Sequence, residues 1–409
     1  MDARQIRGLR PRLDRFLQRF EDCFLRCDTR AHFPVYVQGQ LSNLHRKSVE
    51  PIAKEAGVPV RTLQEFLSLL KWDEDRMRDR VQQVVAAEHA SPHAVGVIDE
   101  TSFAKQGKKT PGVKRQYCGS TGKTENCIVT VHLAYAADGF HCLLDGELYL
   151  PQEWHADRER CRRAAIPETM VYRSKWEIPR TVTGWLKRPP VTCRPYRRHG
   201  RGRSRRTPRL VRGGPAAQSV AELLEHDPRL SDQPWERYRL RDGSQGPMIW
   251  EIKHARFYPK DEEGLPALHP LRLVIARNVL NPKEVKFFLA DAPRGTSVGT
   301  LLLVGFSRWH VEWCFEDQKD ELGLDHYEGR RYPGLKRHLI LTSVSYLFLS
   351  RVKQELGEKS PGTHRGPGPR RRGGADPVLV AHGPRLNDVA GEDRREDPGH
   401  AARQRQIRP

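Results

Sequence analysis

The sequence predicts an α/β protein with a helical region ahead of a sheet-bearing core. Three observations lead there. Apolar residues recur at helical spacing through residues 1–92. From Ala94 the pattern changes to short β-branched and aromatic runs broken by turns. Two long helical segments then return between Ser307 and Leu356. Strand, hairpin and helix in this order indicate a mixed sheet with helices packed on it.

Within the first region, Leu13, Phe16, Leu17, Phe20 and Phe24 form one stripe over Arg12–Leu25. Val49, Ile52, Ala53 and Ala56 form a second stripe, and Leu63, Phe66, Leu67 and Leu70 a third. Gly57 and Pro59 interrupt the last two, giving two short helices about a tight turn. That arrangement fits a helix-turn-helix or an ordinary helical hairpin. Its second helix would turn Arg61, Thr62, Gln64 and Glu65 outward.

AVGVIDE reads as a buried strand that ends at Asp99. Asn126–Ala136 and the segment from Phe140 read as two strands about Ala137-Asp138-Gly139. HADRERCRRAAIPE and the region of Lys175–Ile178 read as helical. Residues 178–221 contain no Asp or Glu, and eleven Lys or Arg lie between Lys187 and Arg212. This stretch reads as a basic loop over 187–212. MIWEIKHARFY, LRLVIARNVL and VKFFLADA read as three further strands, followed by helices over Ser307–Leu324 and His338–Leu356. Residues 357–409 turn rich in Gly, Pro and Arg with almost no aromatics, the composition of a disordered tail. An out-of-frame reading of GC-rich DNA gives the same composition.

The 409 residues carry 71 Lys+Arg against 51 Asp+Glu, a net charge of +20. Such a surplus favours a polyanionic partner, nucleic acid first. Hydrophobic residues make up 37% of the chain, low for a fully packed fold. No apolar run of about 18 residues exists and the start lacks an apolar signal region, so neither a membrane span nor secretion is expected. Eight cysteines without a CxxC pair read as reduced thiols in a cytoplasmic protein.

Asp99, at the end of its strand, stands where α/β proteins gather binding groups. In the helix over Ser307–Leu324, Arg308, Glu312 and Lys319 fall on nearly one face. An acid between two bases suits a metal ligand beside phosphate-holding cations, and equally a solvated helix face with ion pairs. GSTGKT over Gly119–Thr124 is no phosphate loop, because Tyr117 occupies the position of the required first glycine. The 17 histidines show no HExxH, so a zinc hydrolase has no support.

Three segments carry a resemblance: GVIDETSFAKQGKKTPGVKRQYCGSTGKTENCIVTVHLAY, LPQEWHADRERCRRAAIPE and FSRWHVEWCFEDQKDELGLDHYEGRRY. With RKSVEPIAKEAGVPVRTLQEFL, they resemble bacterial insertion-sequence transposases of the DDE superfamily endonuclease type. The resemblance runs from about residue 10 to about residue 356. It implies an RNase H-like catalytic core with a β-rich insertion over residues 93–356, behind a helix-turn-helix-like DNA-binding domain over residues 1–92. It implies catalysis by two Mg²⁺ (or Mn²⁺) ions held by Asp, Asp and Glu. Asp99 matches the first Asp and Glu312 the Glu, both metal ligands, with Arg308 and Lys319 as helix companions. Gly305 stands where the family often has a tyrosine before the Arg. Arg46, Lys47, Arg61, Thr62 and Gln64, and Arg197, Arg198, Arg201 and Arg203 of the basic loop, are the candidate DNA contacts. The implied partners are double-stranded DNA, both terminal inverted repeats and target, and a second copy in a synaptic complex at the bacterial nucleoid.

The family's second Asp lies on a strand after the helix near Lys175–Ile178. Here Ile178 runs straight into Pro179, which in the family follows that strand. The chain therefore reads as lacking a helix, a core strand and one metal ligand at the 178/179 join. Asp291 aligns with a different strand and is not expected to replace the ligand. Two functional readings result: a transposase impaired in cleavage, or a non-catalytic DNA-binding remnant that represses or competes with an intact transposase. A third is a product that does not fold stably, because a lost central strand leaves sheet edges unpaired.

Overall fold

A computed structural model describes residues 3–137, 139–175, 177–178, 218–243, 246–259, 270–307 and 309–358. The chain divides into two compact units. Among the described residues, the first holds those up to 178 and those from 307 onward. The second holds 218–306.

The first unit begins with helices at the expected stripes. They are α1 (Ala3–Gln18), α2 (Cys27–Leu41), α3 (Val49–Glu55), α4 (Val60–Ser68) and α5 (Glu74–Glu88). The first stripe splits: α1 ends at Gln18, and a 3₁₀ turn over Glu21–Cys23 carries Phe24 inward. Gly57, at φ +65, makes the left-handed turn after α3 that a side chain would strain. Gly39 lets α2 approach Ile52 of α3 closely, since a Cβ there would collide with its side chain. Phe24, Phe33, Phe66 and Trp72 fill the centre, with Phe66 stacked on Trp72 at 5.6 Å.

These helices do not stand apart from the sheet. They pack on α12 (Tyr332–Glu358), the long helix that also covers the sheet. Buried polar bonds join the two. Tyr36 Oη donates to His338 Nδ1 at 2.9 Å. Gln40 donates to Thr342 Oγ1 and accepts from Ser345 Oγ, both at 2.8 Å. Arg337 donates to Leu67 O near the end of α4 at 3.2 Å and to Leu70 O just beyond it at 2.7 Å, and pairs with Glu74. A cation is favoured at the carbonyl end of a helix. Residues 3–92 thus lie in one compact unit with the sheet.

The sheet holds β1 (Val95–Ala104), β2 (Lys114–Cys118), β3 (Lys123–Ala137) and β4 (Phe140–Leu148), all antiparallel to β3. β1 pairs with Cys127–Ala136 along one edge of β3, and β4 pairs with Thr130–Ala137 along the other. β2 pairs with Lys123–Cys127. Among the described residues no strand pairs with the second edge of β1. Two short helices follow, α6 (Gln152–Ala156) and α7 (Arg158–Arg163). α11 (Trp309–Leu322) lies against β1, β3 and β4.

The second unit has α8 (Val220–His226), α9 (Pro228–Ser231) and a meander of β5 (Glu236–Gly243), β6 (Gly246–Phe257), β7 (Leu271–Asn278) and β8 (Val285–Ala290), closed by α10 (Val298–Phe306). Alternation places Leu271, Leu273 and Ile275 of β7 on one face with Leu230, and Val274 and Ala276 on the other with Leu301 and Leu302. Of the tail expected over 357–409, Gly357 and Glu358 end α12 and residues 359–409 lie outside the described residues, as does the whole of the basic loop over 187–212. Among the described residues no helix is long and apolar enough to cross a membrane.

Candidate functional site

Asp99 is not at the end of its strand. β1 continues five residues further, to Ala104, with Asp99 opposite His132 of β3. The polar run Glu100-Thr101-Ser102 suggested a strand end. Thr101, Ser102 and Phe103 are nonetheless buried, and burial carries the strand onward. Val95, Val97, Asp99, Thr101 and Phe103 share the buried face by the pleat. Asp99 is 7% exposed, and its Oδ1 accepts from the Glu100 amide at 2.9 Å.

α11 covers that face. Its Val311, Cys314, Phe315, Gln318 and Leu322 point inward. Phe315 meets the ring of His132 edge-on at 5.3 Å. His132 is fully buried, with Nε2 bonded to Thr130 Oγ1 at 2.8 Å. Burial, with the Lys319 charge second, lowers its pKa to about 3, so the ring is neutral. Glu312 lies exposed in the first turn of α11. Lys319 lies seven residues on, roughly 10 Å along the axis.

Lys319 has a built seat. Its Nζ donates to Ser120 Oγ at 2.7 Å and to Ser102 O at 3.4 Å, and sits 5.6 Å from the Phe103 ring centre. Ser120 in turn donates through its amide to Ser102 Oγ at 3.2 Å and through its hydroxyl to Ser102 O. Among the described residues no carboxylate lies within ion-pair distance of this amine. Burial lowers its pKa from the ordinary lysine value. Serine is too common in loops for sequence reasoning to have found this seat. GSTGKT, set aside as a phosphate loop, is the β2–β3 turn that supplies Ser120, with Gly122 at φ +70.

The other predicted residues fall in different places. Arg61 is exposed and pairs with Glu65 at 2.7 Å; Gln64 is exposed and Thr62 half-buried. Arg46 pairs with Glu328. Lys47 departs from expectation: it is 5% exposed and donates to Gln40 O at 2.9 Å, Ser42 O at 2.7 Å and Glu321 O. A lysine so enclosed clips the α2–α3 loop to the end of α11 and has no amine to offer DNA. Arg308, Arg197, Arg198, Arg201 and Arg203 lie outside the described residues. Asp291 is exposed and belongs to the second unit.

Asp99 and Glu312 offer the hard oxygen donors that Mg²⁺ takes. Among the described residues, however, no three His, Cys, Asp or Glu gather as a metal-holding group. Asp145, a buried carboxylate on β4, sits 3.9 Å from the Arg78 guanidinium of α5 and accepts from the Gly146 amide at 2.8 Å. Burial raises its pKa to about 6. The described donors thus fall short of the three-carboxylate set.

Residues 19–192 match the family of DDE superfamily endonucleases. That span takes in α2–α5 and Asp99 and stops before Glu312. A probable transposase for insertion sequence element IS701 from Microchaete diplosiphon is 34% identical over 143 residues, 34% of this chain and 37% of that protein. The chain thus matches little more than a third of the length of this curated relative. Residues 19–192 are thus similar to a DDE superfamily endonuclease domain, and 143 residues of the chain are similar to part of an insertion-sequence transposase.

Proposed function

We propose that this chain binds DNA at transposon ends and that its cleavage and strand-transfer chemistry is impaired. The observation that carries this reading is the second edge of β1. A core strand bearing an acid on its buried face has no strand partner on that side among the described residues. The family's second Asp belongs on a strand that the 178/179 join lacks. An RNase H-like core deprived of that strand would leave this edge open and this donor set one carboxylate short. DDE superfamily endonucleases generally use divalent metals, and a reduced donor set removes a ligand from a site built for the charge of two ions.

The experiment offers the purified chain DNA bearing the element's ends, with Mg²⁺ or Mn²⁺. Retained binding without end-specific nicking is the expected result. Robust nicking at the ends, lost in Asp99→Ala, would overturn the impairment. A second reading, a remnant that competes with an intact transposase, is favoured by the complete α3–α4 pair beside the open sheet edge. Co-expression should then lower excision by the intact enzyme, and unchanged excision would count against it.

A further inference from the structure

Away from α11, a cleft opens between α1 and the end of α12. Arg12 and Arg15 of α1 and Arg19 just past its end line one side of it, and Arg351 lines it from α12. Phe16, Phe348 and Val352 make the floor, with the two rings 5.6 Å apart and the Arg351 guanidinium 5.3 Å from the Phe16 ring centre. Two carboxylates serve three of the four guanidinium groups. Glu355 pairs with Arg12, and Glu88 takes both Arg19 and Arg351, the latter at 2.9 Å. Arg15 also lines the cleft and is exposed, with no carboxylate in ion-pair distance among the described residues.

The ion pairs hold three guanidinium groups in fixed positions over apolar rings, and the cleft keeps a surplus of positive charge. Planar donors so arranged match the oxygens of a phosphodiester, and the apolar floor suits the sugar beside it. We infer that this cleft is a DNA-backbone site in which Arg15 contacts a phosphate directly, while Arg12, Arg19 and Arg351 shape its field. The inference rests on the reading that the chain binds DNA, and it adds a contact surface outside α3–α4 and the basic loop.

The test titrates duplex DNA against the full chain by fluorescence anisotropy at several salt concentrations. Arg15→Ala should weaken binding about 3- to 10-fold, evenly across sequences, and lower the salt slope by about one. Arg15→Lys should recover most of the loss. Arg10→Ala, on another face of α1 and paired with Asp14, should leave both quantities unchanged. In a second measurement, bound DNA should protect Arg15 from phenylglyoxal, read by mass spectrometry. Binding with an unaltered slope in Arg15→Ala, or equal labelling of Arg15 with and without DNA, overturns the cleft while leaving the DNA reading intact. No binding by the unaltered chain overturns both.

Discussion

The two sheets differ in how they are completed. The β5–β8 meander carries an apolar layer on each face, one closed by α8 and α9 and the other by α10. Among the described residues it buries neither a histidine nor an acid. The β1–β4 sheet buries Asp99, His132, His141 and Asp145, and one edge of β1 has no strand beside it among the described residues. A sheet that only has to fold can be filled with Leu, Ile and Val. A sheet that keeps polar groups inside must pair them and draws its stability from the helices around it.

The largest expected effect concerns the apolar sheet. Ile275 is fully buried at the middle of β7. Ile275→Ala should cost about 2–5 kcal/mol, read from the urea midpoint of the second unit by fluorescence of its tryptophans. A loss below about 1 kcal/mol would show that layer to be loosely packed and weaken the contrast.

Acid should separate the two sheets next. In the first unit, burial lowers the pKa of His141 and of His338 to about 4, so the folded state binds fewer protons there than the unfolded chain. Their contribution is present above pH ~6.5 and is lost as the pH falls toward about 4. Asp145 opposes this with one group. Its folded pKa of about 6 lies above the ordinary carboxylate value, so the folded state gains stability as pH falls through 6. With His132, whose folded pKa is about 3, counted as well, the net change from pH 7 to pH 5 is a loss of about 4 kcal/mol in the first unit. Urea titrations at both pH values check it, and a first unit equally stable at each would remove the contrast.

A smaller effect belongs to the Lys319 seat. Ser120→Ala deletes its nearer acceptor, leaving the amine with Ser102 O and the Phe103 ring. The expected cost is about 1–2 kcal/mol by thermal unfolding, and no change would mean that water replaces the hydroxyl fully. The smallest effect on folding is Arg61→Ala at an exposed position, within about 0.5 kcal/mol. Its consequence should lie in DNA affinity for a terminal repeat. If affinity and repeat preference both persist, α4 does not read the DNA.

Much of this architecture was legible in the sequence, because the stripes at Leu13–Phe24, Val49–Ala56 and Leu63–Leu70 and the run Asn126–Ala136 match one period each. What escaped did so for physical reasons. β1 was cut short at Asp99 because Glu100, Thr101 and Ser102 are polar, yet two of them are buried. β5 escaped because Arg237, Arg239 and Arg241 alternate with Tyr238 and Leu240 on a partly exposed strand, where charge masked the period of two. Lys47 was taken for a surface cation, since sequence does not show that three carbonyls surround its amine. The resemblance singled out Asp99 and Lys319, while the Ser120 and Ser102 seat of Lys319 depends on a fold that brings residue 319 to residue 120.

The bonds of Gln40 with Thr342 and Ser345, and of Arg337 with the end of α4, have a consequence for engineering. They tie positions some 300 residues apart in sequence into one interior. The first 92 residues therefore cannot be exchanged alone as a cassette between this chain and a relative. A chimera cut at residue 92 would bring Gln40 against a foreign helix and strand its amide, whereas a graft that also carries Tyr332–Glu358 keeps each partner with its own.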